Sequence, residues 1–254
     1  TSGETGVIDE ILPRRNDMSR PPIANINTMV FVVSTTEPVP NTLVLDKLLA
    51  IAQFKAIAQV IVITKVDIKE LSLFQDVYQR AGFPVFIADY DDPESIGRIR
   101  AQCAQGLTVF CGNSGVGKST LINAIAPGLD LKTAEISQKL GRGRHTTRSV
   151  TLYPMDGGGY IADSPGFSSL ETNRLDTIYK DELQYCFREF APFIDRCRYK
   201  DCSHIKEPGC AVLEALGNEI IPKSRHDSYV RMYEEARSIK EWEQGTKRRP
   251  GKGT

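Results

Sequence analysis

Short apolar runs alternate with helix-length segments through the middle of the chain. The runs are rich in β-branched and aromatic residues: MVFVV (29–33), VIVI (60–63), PVFIA (84–88) and LTVFC (107–111). Between them, apolar residues recur three or four positions apart, as in Leu45, Leu48 and Ala52. This alternation predicts a parallel sheet with helices on both faces.

Two further runs, SVTLYPM (149–155) and YIAD (160–163), flank a Gly-Gly-Gly turn and predict an antiparallel hairpin. The expected α/β sheet is therefore mixed and has six strands. From Asp181 the pattern changes to a helical stretch ending at Phe190, a Cys/His-rich segment, and a long helix over about 224–243. We interpret this part as a small helical domain.

The pattern divides the chain into three parts. Residues 1–20 hold a short alternating segment and a Pro-rich linker, residues 21–178 the α/β domain, and residues 179–254 the small domain with a basic tail. An unpartnered strand does not form a domain, so the first part is expected to belong to a larger upstream unit.

Overall composition adds little to this picture, whereas the distribution of charge along the chain is informative. Lys+Arg and Asp+Glu balance at 32 each, whereas residues 137–148 and the last ten residues each carry four basic residues and no acid. Such patches suit phosphates, although solvated loops have the same composition. No apolar run approaches the ~20 residues of a membrane span, and the first residues do not resemble a signal peptide. We expect a cytoplasmic protein with reduced cysteines.

The stretch GNSGVGKST follows an apolar run and precedes a helical pattern, which is the setting of a P-loop. Lys118 is expected to reach the β- and γ-phosphates, and the Ser119 hydroxyl to bind Mg²⁺. The full set of predicted phosphate-binding residues is Gly112, Asn113, Ser114, Gly115, Val116, Gly117, Lys118, Ser119 and Thr120.

The sequence DSPG, at the end of a predicted strand, supplies a second phosphate element. Asp163 is expected to hold Mg²⁺ and the Gly166 backbone N–H to face the γ-phosphate. The intervening GRGRHTTR (141–148) has the composition of a switch loop. We favour Thr147 over Thr146 as its Mg²⁺ ligand.

The stretch TKVD (64–67) predicts a guanine site at the end of a buried strand. The Asp67 carboxylate can accept hydrogen bonds from guanine N1–H and the 2-amino group, whereas adenine would leave it unpaired. The stem of Lys65 can cover the base, and Thr64 completes the predicted site.

The motif order TKVD, GNSGVGKST, GRGRHTTR, DSPG is a rotation of the usual GTPase order, and so the chain resembles the circularly permuted GTPases. Together with CRYKDCSHIKEPGCAV, these motifs make it similar to the ribosome-small-subunit-dependent GTPase A family. The resemblance implies GTP/GDP and Mg²⁺ as ligands, the 30S subunit and its 16S rRNA as partners, and hydrolysis stimulated by that subunit late in its maturation. We expect a monomer.

Three departures from the family pattern matter. Only the final segment of the family's N-terminal OB-fold is represented, in ETGVIDEILPRRN. Thr64 stands where many GTPases carry Asn, and Ala88 lacks the hydroxyl of the fifth GTPase motif.

Phe167 occupies the position after DxxG, where many GTPases carry a water-orienting Gln. His145 in the switch loop is our candidate for that catalytic role, because imidazole can orient or deprotonate a water. The alternative is that His145 contacts RNA or nothing.

Three cysteines and a histidine fall within 14 residues and suit a closed, tetrahedral structural Zn²⁺ site. The predicted ligands are Cys197, Cys202, His204 and Cys210. The rotated order places the switch elements directly before this site, so we expect nucleotide state to reach it along the chain. Two rival interpretations are a P-loop phosphotransferase, in which Asp67→Asn would not shift preference toward XTP, and an RNA-binding scaffold that uses GTP only structurally.

Overall fold

The computed structural model describes residues 9–11, 13–19, 22–65, 71–129, 150–163 and 177–239. The strands are β1 (Asp17–Ser19), β2 (Pro22–Ala24), β3 (Ile26–Ser34), β4 (Ala58–Thr64), β5 (Val85–Ile87), β6 (Leu107–Cys111), β7 (Thr151–Pro154) and β8 (Tyr160–Asp163). Strands β1 and β2 form a separate hairpin, and the other six form one sheet in the order β5-β4-β3-β6-β8-β7. The predicted six-stranded sheet is confirmed.

All neighbouring strands in the main sheet run parallel except the edge pair. Strand β3 lies between β4 and β6, and β8 pairs with β6. Strand β7 is antiparallel to β8, as expected for a hairpin closed by the glycine turn. The sheet is therefore mixed, and its carboxyl edge collects the loops that follow β3, β4, β6 and β8.

The helices are α1 (Thr42–Phe54), α2 (Leu71–Arg80), α3 (Pro93–Cys103), α4 (Lys118–Ile125), α5 (Lys180–Leu183), α6 (Ala211–Gly217) and α7 (Lys223–Arg237). Local signals set where two of them begin. The Asn41 side chain accepts from the Val44 N–H at 3.2 Å, and Asp92 caps α3 with Pro93 in its first turn. Across these segments, no helix combines the length and hydropathy of a membrane span.

The two faces of the sheet bury different partners. Along β3, Val30 and Val32 point to the side of α3 and α4, while Phe31 and Val33 point to the side of α1. This is the period-two alternation of a strand covered on both faces. The C-terminal part of the chain packs on the α1 side, where Phe187 joins the same apolar core.

The C-terminal helices are shorter than predicted. The stretch expected to be helical from Asp181 to Phe190 contains one turn of α5 followed by two 3₁₀ turns. Helix α7 ends at Arg237, because the Ser238 hydroxyl donates to the Glu235 carbonyl at 2.6 Å and the Ser238 N–H bonds three residues back. The predicted continuation is therefore wrong at residues 238–239, and its remainder lies outside the described residues.

A buried ion cluster attaches α7 to α1 and to the 3₁₀ turn at Arg188–Phe190. Arg225, which is 0% exposed, donates to Asp46 of α1 at 2.6 Å and to Glu189 at 2.7 Å. The Tyr78 hydroxyl of α2 donates to the same Asp46 carboxylate at 3.0 Å. The guanidinium also lies 4.7 Å from the centre of the Phe187 ring. Charges and aromatic rings from both parts of the chain therefore share one buried site.

Candidate functional site

The predicted phosphate loop lies at the carboxyl end of β6 and leads directly into α4. A Cβ on Gly112 would come within 2.3 Å of the Val32 carbonyl oxygen, so only glycine fits there. Gly117 has a φ of 97°, in the left-handed region that favours glycine. The backbone can therefore turn tightly beside β3 and present the first N–H groups of α4 at the sheet edge.

Lys118 spans this loop. Its ammonium donates to the Gly112 carbonyl at 2.7 Å and to the Asn113 carbonyl at 2.8 Å. Both acceptors are main-chain oxygens on the opposite side of the turn. A half-buried cation fixed across a loop of backbone N–H groups makes a site for an anion such as a phosphate.

The predicted base loop is hydrogen-bonded to the phosphate loop. The Thr64 hydroxyl donates to the Val116 carbonyl within the phosphate loop and lies 3.1 Å from the Val33 carbonyl. Thr64 is 1% exposed, so its side chain is enclosed between β3 and the loop. Two motifs that are far apart in the sequence are thus brought together at one end of the sheet.

Lys65 follows Thr64 with a φ of 51°, a left-handed conformation that costs a residue with a side chain roughly 1–2 kcal/mol. The Thr35 hydroxyl donates to its carbonyl oxygen at 3.1 Å, and its own ammonium donates to the Glu37 carbonyl at 3.2 Å. Asp67, the predicted guanine acceptor, lies outside the described residues.

Of the other residues predicted to contact the nucleotide or Mg²⁺, some lie within the described residues and others do not. Strand β8 ends at Asp163, one residue beyond the Ala162 that pairs with Val109 of β6, so the Asp163 backbone reaches the edge that carries the phosphate loop. The structure does not describe His145, Thr147 or Gly166, and their predicted roles rest on the sequence.

The four predicted zinc ligands converge. One ligand atom from each of Cys197, Cys202, His204 and Cys210 lies within 4.8 Å of all the others. The Cys197 and Cys210 sulfurs are 3.8 Å apart, and the His204 Nδ1 lies 3.5 Å and 3.4 Å from them. These separations and the three-thiol, one-imidazole donor set fit a tetrahedral Zn²⁺ site.

Neighbouring groups fix the orientation of these ligands. The His204 Nε2 is 2.8 Å from the Gln184 amide oxygen, which favours a proton on Nε2 and leaves Nδ1 to bind metal. Burial raises the pKa of the Cys202 thiol to about 12, so a cation is needed to stabilise the thiolate.

Glu207 closes the loop around the zinc ligands. Its carboxylate accepts hydrogen bonds from the backbone N–H groups of Ser203, Ile205 and Lys206. Burial raises the pKa of this carboxyl, but hydrogen bonds from the Ser203 hydroxyl and the backbone outweigh burial and lower it to about 2.

Sequence reasoning missed two features of this region. The first is the cluster of Arg225, Asp46 and Glu189. Its only signal in the sequence is weak: the acidic Asp46 stands within the mostly apolar run LVLDKLLAIA (43–52). The contact between Thr35 and Lys65 had none, because it joins two loops 30 positions apart. Sequence reasoning also assigned Thr64 to the nucleotide, whereas its hydroxyl bonds to Val33 and Val116; direct contact with a nucleotide stays a prediction.

A mainly parallel α/β sheet with a glycine-rich loop between strand and helix defines a P-loop nucleotide-binding protein. Here the strand that leads to the base loop precedes the phosphate loop in the chain.

The comparisons with known proteins identify the group. Residues 11–173 match the family model described as RsgA GTPase. A small ribosomal subunit biogenesis GTPase RsgA from Caldanaerobacter subterraneus subsp. tengcongensis is 41% identical over 235 residues, covering 91% of this chain and 78% of that protein. The chain belongs to the RsgA GTPase family.

Solved structures agree with this assignment. The crystal structure of YjeQ from Thermotoga maritima superposes with a TM-score of 0.75 at 32% identity, covering 93% of this chain and 80% of that one. YloQ, described as a circularly permuted GTPase, gives a TM-score of 0.71 at 34% identity, with 90% and 74% covered. The predicted family and the permuted order of the fold are confirmed.

Proposed function

We propose that this chain hydrolyses GTP to GDP and phosphate while assisting a late stage of small ribosomal subunit maturation. The hydrogen bond from Thr64 to the Val116 carbonyl carries the nucleotide-binding part of this proposal. It supports a single site in which a base loop and a phosphate loop act together. The name of the similar Caldanaerobacter protein supports the choice of the small subunit.

Seven of the predicted residues have a defined part in this reaction. Lys118 contacts the β- and γ-phosphates, and the Gly166 N–H faces the γ-phosphate. Ser119, Thr147 and Asp163 would hold Mg²⁺, which would neutralise charge on the phosphates. Asp67 selects guanine, Lys65 covers the base, and Thr147 binds only while the γ-phosphate is present.

The attacking water requires a residue other than the usual Gln, because the side chain of Phe167 has no polar atom. We propose that His145 orients this water or accepts its proton. This role rests on residue type and on its position in the predicted switch loop.

The zinc module, by which we mean residues 179–254 with their four clustered Cys and His ligands, would hold one structural Zn²⁺ and contribute to the surface that meets the ribosome. Arg196, Arg198 and Lys200 are exposed, and each lies within two residues of a predicted metal ligand in the sequence. Together with the basic residues of the switch loop and tail, they supply cations for the phosphates of 16S rRNA. We further propose that the protein acts as a cytoplasmic monomer.

The test is the GTPase rate with purified 30S subunits, with 50S subunits as the control, for the unaltered chain and His145→Ala. We expect 30S subunits alone to accelerate hydrolysis. His145→Ala should retain GTP affinity and lose about 10²–10⁴-fold in turnover, the usual contribution of general acid–base groups. Equal rates with both subunits would contradict the ribosomal role, and unchanged turnover would contradict the role of His145.

A further inference from the structure

The loop after β3 meets the loop after β4 where their parallel pairing stops. The last paired residues are Ser34 and Thr64. One residue beyond Ser34, the two segments are joined by a side chain instead of by backbone pairing: the Thr35 hydroxyl donates to the Lys65 carbonyl at 3.1 Å. A side chain therefore holds the two loops together where the sheet no longer does.

The backbone carbonyl and the side-chain ammonium of Lys65 both bond to the turn at residues 34–37, which follows β3. Its carbonyl accepts from Thr35, and its ammonium donates to the Glu37 carbonyl at 3.2 Å. Between these contacts, the Lys65 backbone has a φ of 51°, which a lysine adopts only when its surroundings impose it.

The turn is itself closed by local hydrogen bonds. The Thr36 N–H donates to the Ser34 hydroxyl oxygen at 3.3 Å, and the Ser34 and Thr36 hydroxyls lie 3.1 Å apart. Ser34 is 0% exposed, so the turn is anchored in the end of the sheet. Thr35 is consequently presented to Lys65 from a fixed base.

We propose that Thr35 is a positioning residue for base recognition. Its hydroxyl holds the Lys65 backbone in the left-handed conformation, and this conformation sets the direction of the backbone at the end of β4, two residues before Asp67 in the sequence. The role rests on the proposed function, since it presumes that this loop reads a guanine base. Thr35 acts through its bond to the Lys65 carbonyl.

The chemistry of guanine explains why a fixed Lys65 backbone matters for recognition. A carboxylate must meet both N1–H and the 2-amino group, and hydrogen bonds weaken steeply when misaligned. A small rotation of the loop would weaken the bond to the 2-amino group. Loss of the hydrogen bond between Thr35 and Lys65 should therefore reduce discrimination between guanine and hypoxanthine, which lacks that amino group.

The experiment compares GDP and IDP affinities, measured by calorimetry, for the unaltered chain, Thr35→Val, Thr35→Ser and Thr36→Val. Valine removes the hydroxyl and keeps the branched shape, and serine restores the hydroxyl. Thr36→Val is the matched control, because it removes a hydroxyl from the same turn that bonds to Ser34 and not to Lys65. Thermal unfolding without nucleotide accompanies each variant.

We expect Thr35→Val to lower the preference for GDP over IDP by about three- to tenfold, the equivalent of one hydrogen bond. Thr35→Ser and Thr36→Val should keep the original preference. An unchanged preference in Thr35→Val, or equal losses for GDP and IDP with a lower unfolding temperature, would overturn the positioning role. An unaltered chain that does not bind GDP would overturn the proposed function itself, and the positioning role with it.

Discussion

The carboxyl edge of the sheet carries the predicted phosphate loop, and we call it the nucleotide edge. The side of the sheet covered by α1 and the C-terminal residues is the α1 face. These two regions hold their polar groups by different means. At the edge, Lys118, Lys65 and Thr64 donate to main-chain carbonyl oxygens of loops. On the α1 face, Arg225 donates to two carboxylate side chains.

This difference separates the consequences of substitution. A cation resting on neutral carbonyl oxygens can transfer to a stronger acceptor, such as a phosphate, at little cost to the fold. A buried cation between two carboxylates has no better partner, and its removal leaves unpaired charges. Changes at the edge should therefore alter binding, and changes on the α1 face should alter stability.

Metal removal tests the zinc module most strongly. Structural Zn²⁺ contributes about 10–16 kcal/mol of apparent binding free energy in small domains, so chelation or Cys202→Ser should unfold the C-terminal module. Cys186→Ser is the matched control, because Cys186 is also a buried thiol but is not one of the clustered ligands. Zinc content by elemental analysis and far-UV circular dichroism measure the outcome. Pure, reduced protein without zinc, or Cys202→Ser with full zinc content, would contradict the site.

The ion cluster should give the next largest effect. Arg225→Met leaves Asp46 and Glu189 buried without their cation and should lower the free energy of unfolding by about 3–5 kcal/mol. Urea denaturation provides the measurement.

Lys47→Met is the control for this substitution, because Lys47 and Glu235 pair between the same two helices at the surface. It should cost only about 0–1 kcal/mol. Similar losses for the two substitutions would show that burial of the ion cluster adds nothing to its effect on stability.

Lys118→Ala should give the smallest change in stability and a clear change in binding. Charge-assisted hydrogen bonds contribute about 1.5–3 kcal/mol, so GDP affinity should fall about 10- to 100-fold. The unfolding temperature without nucleotide should fall less than for Arg225→Met, since two of the acceptors that Lys118 leaves behind, the Gly112 and Asn113 carbonyl oxygens, carry no charge. A large drop in that temperature would show that the nucleotide edge depends on its polar contacts for stability, just as the α1 face does.

Local pattern predicted most of the fold and the Cys/His cluster. The six strands followed from β-branched runs, and the converging ligands from the spacing of Cys197, Cys202, His204 and Cys210. The phosphate loop was predictable because strand, glycine turn and helix are contiguous in sequence.

Contacts between distant segments were not predictable in this way. Arg225 and Asp46 are 179 positions apart, and no periodicity or spacing rule relates them. The end of α7 at Arg237 was missed for a local reason, since a serine hydroxyl bonded to a backbone carbonyl competes with the helix. Base recognition by Asp67 and catalysis by His145 stay predictions, because both residues lie outside the described part of the chain.

The bond between Thr64 and Val116 also bears on the order in which the protein is made. A chain synthesised from its N-terminus completes β3, β4 and β5 before the phosphate loop exists, so half of the sheet is available when β6 emerges. Strand β6 can then pair with the free side of β3, which brings the phosphate loop that follows β6 to the Thr64 hydroxyl. In this permuted chain, the base-reading half can serve as the template on which the phosphate-binding half folds.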